Sequence, residues 1–234
     1  MSLHSFPHCK ARVAAVALLT ASFGVTGLRA QTTQDNAAQE KAAQASQAKG
    51  MPPRATPGDY QAHTQAGAVT IGAEFSAHSA PVPQGVLSTD DYIVVEVGFF
   101  GPSEAHTTIS AGDFSLRVND KKSALPAQPY SMIFGSLKDP EWEPPEPVES
   151  KGGKTSIGGS GGGNDSTPVK PKPPFSLQRT WQQNVMKAAL PEGDRVLPAA
   201  GLIFFRYGGQ AKGIYSVELI YSGSAGKATL SLHP

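Results

Sequence analysis

Asp91-Tyr-Ile-Val-Val-Glu-Val-Gly-Phe-Phe-Gly101 sets a pattern that the rest of the chain repeats. Its β-branched and aromatic residues suit a pleated backbone. Read with a period of two, Ile93, Val95, Val97 and Phe99 share one face, and Tyr92, Val94, Glu96 and Phe100 share the other. The first face is wholly apolar and the second is mixed, which predicts a central strand with one face in a core and one partly wet. Gly101-Pro102 ends it, because proline can neither donate to a ladder nor continue the pleat.

Outward from this strand the same alternation recurs. Val69, Ile71, Ala73 and Phe75 alternate with smaller or polar residues from Ala68 onward, and Pro81, Pro83 and Gly85 read as a loop. Asp113 to Asn119 reads as a third strand with Phe114, Leu116 and Val118 inward, and Tyr130 to Leu137 as a fourth. Near the end, Gly201 to Tyr207, Gly213 to Tyr221 and Lys227 to Leu232 are three more alternating runs. The last two, separated by Ser222-Gly-Ser-Ala-Gly226, read as a hairpin with a longer loop, in which Val217, Leu219 and Tyr221 share a side with Ala228, Leu230 and Leu232. One helix is predicted, capped by Ser176, with Leu177, Trp181, Val185 and Ala188 or Ala189 as its apolar stripe and Pro191 with Gly193 beyond its end.

Two segments interrupt this pattern. From Gln31 to about residue 66 the chain is Ala, Gln, Ser, Pro and charge with almost no large apolar residue, the composition of a disordered linker. Residues 140–174 join an acidic proline-rich stretch, Asp139 to Pro147, to a Gly/Ser/Asn run. Such a stretch is either a disordered insertion or the boundary between two domains. The insertion is preferred, since neither half alone supplies enough strands for two closed sheets.

The N-terminus has the three parts of a secretory signal. Lys10 and Arg12 supply the positive start, Val13 to Gly27 an apolar run broken by Thr20, Ser22 and Thr26, and Leu28-Arg29-Ala30 the small residue before a cut. The run falls short of the ~20 residues that span a bilayer, so no membrane span is expected after its removal. Cys9 would leave with it, and the remaining chain would have no cysteine for disulfides, thiolate chemistry or a Cys-based metal site. Loss of Lys10, Arg12 and Arg29 moves the formal charge from +1 to −2. Near-neutral charge and the lack of any Lys/Arg cluster with interleaved aromatics argue against nucleic acid as a partner.

The remaining motifs resolve mostly into composition. Gly152-Gly-Lys-Thr155 has Val148 where a phosphate loop needs its first glycine, and no strand precedes it. Gly158-Gly-Ser-Gly-Gly162 has the letters of a nucleophile elbow without the strand-to-helix turn that strains it. His63, His78, His106 and His233 have no metal-ligand spacing, and Asp90, Asp91, Glu104 and Asp113 serve as caps or solvated groups as readily as calcium ligands. No cofactor, metal or catalytic residue is therefore assigned. Glu141-Trp142-Glu143-Pro144-Pro145 is different, because a large aromatic in an extended proline-rich segment either presents a binding epitope or folds back onto the domain.

About seven short strands with one amphipathic helix predict a mainly β domain over residues 67–234, of the immunoglobulin-like β-sandwich type. Tyr92-Ile-Val-Val-Glu-Val-Gly-Phe, Asp113-Phe-Ser-Leu and Gly201-Leu-Ile-Phe-Phe resemble the strand signatures of telokin-like immunoglobulin-fold domains of secreted and lipid-anchored bacterial proteins of unassigned function. That resemblance implies an extracytoplasmic binding or scaffolding module, with no catalytic residues to carry over. A periplasmic or extracellular, non-enzymatic module of the cell envelope is accordingly expected, its partner a protein or another envelope component. The alternative is an envelope hydrolase or carbohydrate-active protein with a loop-end site near Asp90, Asp91, Glu104 and His106.

Overall fold

The computed structural model describes residues 49–144 and 172–234. The expected signal over residues 1–30, most of the linker, Pro145 and both glycine-run motifs lie outside these residues. The described chain is mainly β, as predicted. Its strands are β1 (Ala62–Ala66), β2 (Val69–Phe75), β3 (Ser79–Val82), β4 (Gly85–Thr89), β5 (Tyr92–Phe100), β6 (His106–Ile109), β7 (Phe114–Val118), β8 (Leu125–Gln128), β9 (Leu137–Lys138), β10 (Gly193–Val196), β11 (Ala199–Arg206), β12 (Val217–Gly223) and β13 (Gly226–Leu232). One helix, α1 (Phe175–Ala188), lies between β9 and β10.

Eight of these strands join edge to edge in the order β1-β2-β5-β11-β8-β7-β12-β13, while β10-β6 and β3-β4-β9 form small separate sheets. Strands from both sides of residues 145–171 thus alternate within one sheet. The end strands β1 and β13 come together, so the sheet curls into a nearly closed barrel. In place of two separate facing sheets there is one, because the short β8 bridges the halves: it pairs Ala127 and Gln128 with β11, and Leu125 and Pro126 with β7.

The organising stretch occupies the middle of one half, as β5, paired with β2 and β11 on either side. Ile93, Val95, Val97 and Phe99 are fully buried in the barrel interior with Ile71, Ala73, Leu116, Phe205, Leu219 and Leu230. Phe99 meets Phe114 and Tyr221 edge-on, with ring centroids 5.9 and 5.8 Å away. The terminal hairpin has the predicted shared face, with Val217 opposite Leu232, Leu219 opposite Leu230 and Tyr221 opposite Ala228. Its first strand starts at Val217 rather than Gly213, and its turn is only Ser224-Ala225, because pairing continues to Gly223 and Gly226. The far face of β5 is drier than predicted, since Tyr92, Val94 and Glu96 are also buried. A second core covers it.

That second core is an outer layer on the β5–β11 wall. Ala80, Val82 and Leu87 of the β3–β4 hairpin, Ile133, Leu137, and Trp181, Val185 and Ala188 of α1 close on Tyr92, Val94, Leu202 and Phe204. The expected loop around Pro81 and Pro83 is this hairpin, with the turn confined to Pro83-Gln84. The expected fourth strand over Tyr130 to Leu137 is instead a 3-10 helix, Tyr130–Ser136, followed by the two residues of β9. Pro129 starts the turn, and a period of three sets Tyr130 and Ile133 on one side, so reading Tyr130, Met132 and Phe134 as one face misassigned the period. The helix keeps its predicted stripe but begins at Phe175 after Pro174, and Ser176 lies inside its first turn, its carbonyl accepting a hydrogen bond from Thr180 Oγ1.

Residues 49–66, assigned by composition to the linker, carry structure too. Met51 donates its N–H to the Ala200 carbonyl at 2.8 Å, and β1 adds to β2 in register Ala62 to Ala73. Between them the chain straps across the outside of the barrel wall. Tyr60 lies over Gly98 and Gly72, register partners on β5 and β2, where a Cβ would collide with its hydroxyl at Gly98 and stand 2.6 Å from a ring carbon at Gly72. Only glycine at both positions admits the ring.

Candidate binding surface

The five large apolar residues most exposed among the described ones are Val86, Met132, Phe175, Val196 and Tyr215. Three of them belong to the outer layer: Val86 on β4, Met132 in the 3-10 helix and Phe175 at the start of α1, at 51%, 55% and 73% exposure. By contrast, the bare barrel wall at the β1 and β13 edges presents His63, Gln65, Lys227, Thr229 and Ser231 to solvent.

The sequence-predicted epitope lies in the same layer. Trp142 is half-buried and packs against the second core, while Glu141, Glu143 and Pro144 are exposed. The turn that sets them is local: Asp139 accepts the Glu141 N–H on Oδ1 at 2.9 Å and the Trp142 N–H on its carbonyl at 3.2 Å. The aromatic ring is thereby anchored and its acidic neighbours point away. Side-chain hydrogen bonds help fasten the layer: Tyr92 Oη donates to the Met132 carbonyl at 3.1 Å, Asn184 Nδ2 to Gln84 Oε1 at 2.8 Å, and Thr89 and Ser136 share a hydroxyl bond at 2.7 Å.

The acids proposed for a hydrolytic site do not converge. Asp90 and Asp91 precede β5 while Glu104 and His106 follow it, and nine residues of strand at ~3.3 Å each set them about 30 Å apart. Asp90 pairs with Lys138, and His106 with Asp194 at 3.2 Å in the open. Among the described residues no three His, Cys, Asp or Glu side chains gather as a metal site would require. None of the described helices is long and apolar enough to cross a membrane.

Two clusters were not legible in the sequence. On the strap, Arg54 reaches Glu96 through Nε at 3.3 Å and Nη2 at 3.1 Å, and Glu74 through Nη1 at 3.2 Å. Glu74 and Glu96 are register partners, so two carboxylates face each other across β2 and β5, a repulsion that the guanidinium relieves. The hydrogen bond to Glu96 is the main reason Arg54 is held still more firmly protonated. Its carbon CZ also lies 4.6 Å from the Tyr60 ring centre. Burial pushes the Tyr60 phenol up to about 12, and among the described residues its hydroxyl has no hydrogen-bond partner. This cluster fastens the strap rather than forming a cleft.

The second cluster sits where β8 is too short to cover β11. A cleft of about 50 Å³ opens there between Gly112, Gln128, Tyr130, Leu190, Glu192 and Ile203. Glu192 accepts the Ala111 N–H at 2.8 Å. Burial, followed by the nearby Glu192 charge, raises both the Asp113 carboxyl and the Tyr130 phenol. The space admits a water or a small group, well below the ~300 Å³ of ordinary ligand pockets.

Searches of family models, curated proteins and solved structures found no match to this chain.

Proposed function

We propose that this chain is an exported, non-enzymatic binding or scaffolding module of the bacterial cell envelope, and that its partner docks on the outer layer around Trp142, Glu141, Glu143 and Pro144, with Pro145 next in sequence as part of the same epitope. The observation that carries this reading is the placement of exposed apolar side chains. Val86, Met132 and Phe175 stand on elements that contribute to the second core, against which Trp142 packs, while the β1 and β13 edges of the barrel are polar. Exposed apolar groups beside charged ones favour a docking surface. The resemblance to telokin-like immunoglobulin-fold domains supports the same reading, and its three stretches fall mainly on β5, β7 and β11 of the wall and barrel. The test replaces Met132 and Phe175 together by Asp in the full chain and measures capture of envelope components beside the native chain. We expect the captured component to be lost while the far-ultraviolet spectrum stays unchanged; retention of the same component would overturn the assignment.

A second reading, an envelope hydrolase or carbohydrate-active protein, is favoured by one observation, the β8–β11 cleft lined by Tyr130 and Glu192, where burial and then the Glu192 charge raise the Tyr130 phenol and the nearby Asp113 carboxyl. Hydrolysis of envelope glycan or ester substrates that is abolished by Glu192→Gln would support it, and activity equal to a buffer control would remove it.

A further inference from the structure

β4 has β3 along one side and, over its last two residues only, β9 along the other, with Ser88 opposite Lys138 and Thr89 opposite Leu137. The Thr89 N–H donates to the His78 carbonyl at 2.9 Å. Residues 89, 87 and 85 therefore turn their backbone groups toward β3, and residues 88 and 86 turn theirs away. Pro81, the register partner of Val86, fits this alternation, since a position facing away from β4 needs no N–H there. The same proline blunts the outer edge of β3.

β9 covers Ser88 but not Val86. Extending its register would set Pro140 beside Val86, and proline cannot donate. The chain turns off at Asp139 instead, leaving an open edge at Val86 among the described residues. The Val86 side chain is 51% exposed there, and the departing chain carries the exposed Glu141 and Glu143. Lys138 is already paired with Asp90, so it does not balance those acids. An edge that one proline blunts on β3 and another leaves open on β4 is asymmetric.

We infer that the β4 edge accepts an extended, basic segment of a partner protein as an added strand. Val86 supplies the backbone N–H and C=O that pair with it, and Glu141 and Glu143 take its positive charge. This deepens the docking proposal above and rests on it.

Titration of the isotope-labelled full chain with a short synthetic peptide of alternating Lys and Val tests the inference, beside its Glu-Val counterpart. We expect the amides of Gly85 to Ser88 to shift with the basic peptide and not with the acidic one. Val86→Pro removes the outward N–H without touching the β3 ladder, and we expect it to weaken binding about tenfold with the barrel amides unmoved. The pair Glu141→Lys and Glu143→Lys should reverse the preference between the two peptides. No shift at Gly85 to Ser88, or binding that Val86→Pro leaves unchanged, would overturn the inference. Failure here, with capture still lost in the Met132 and Phe175 variant, would sink the edge while leaving the docking surface standing.

Discussion

The barrel interior and the outer layer share β5 as a common wall, yet they are held in different ways. Inside, side chains from all eight barrel strands meet, those of β8 only partly buried, and every neighbouring pair of strands is laced by an antiparallel ladder except at the β1–β13 closure. Outside, Val94, Leu202 and Phe204 are covered by a hairpin, a 3-10 turn and one helix, attached by packing, side-chain hydrogen bonds and, at the ends of these elements, backbone bonds from Val94 to Ala77 and from Leu190 to Leu202. Opening the interior means breaking the sheet, whereas the outer layer can lift as a unit at lower cost. Segments that recruit partners are commonly drawn from such less stable layers, and the exposed Val86, Met132 and Phe175 are all found there.

Substitutions can break this contrast. The largest effect is expected inside the barrel, where Phe99→Ala removes the ring wedged between Phe114 and Tyr221 and should cost about 3–5 kcal/mol, read as a fall in the urea midpoint of the whole domain. Arg54→Ala follows at about 3 kcal/mol, because it leaves Glu96 buried opposite Glu74 with no cation; adding Glu96→Gln should restore a large part of the loss. Val185→Ala in the outer layer should cost about 2 kcal/mol and act locally. Its signature is faster amide exchange in α1 and the Tyr130–Ser136 turn with the barrel amides unchanged. Uniform acceleration would mean that the two cores open together.

A smaller effect concerns alkaline pH. The Tyr60 phenol is raised in the folded state, so its contribution to stability is whole below pH 10, the unfolded value, and is lost as pH rises through about 12. Stability should fall by about 2 kcal/mol across that window, and Tyr60→Phe should flatten the fall. Smallest of all is Trp142→Ala, expected to change stability by under about 1 kcal/mol because the ring is only half-buried, while removing partner capture.

The barrel half of this contrast was readable from the chain because alternation reports a sheet with one dry face. β2, β5, β7, β12 and β13 announce themselves in that way, down to the shared face of the last hairpin, though not the shortness of its turn. The outer layer was less legible. Its β3–β4 hairpin is short and holds two prolines, so it read as a loop, and its 3-10 turn mimicked a strand through Tyr130, Met132 and Phe134. β1 and the strap were hidden by small polar composition, since Arg54 and Tyr60 matter only through Glu74, Glu96, Gly72 and Gly98, which are distant in sequence. Glycines at matching positions of two paired strands were the one signal that something lies across them. For the site, Trp142 was visible as an aromatic out of place, whereas the open edge at Val86 follows from register and leaves no mark in composition.

Site-specific photo-cross-linking in envelope extract tests the division of labour most directly. A photoreactive residue placed in turn at Met132 and Phe175 of the outer layer should form a discrete adduct with one partner, and the same residue at His63, Lys227 or Thr229 of the barrel edge should form none. Adducts only from the barrel edge, or equal adducts from both regions, would contradict the outer layer as the docking surface.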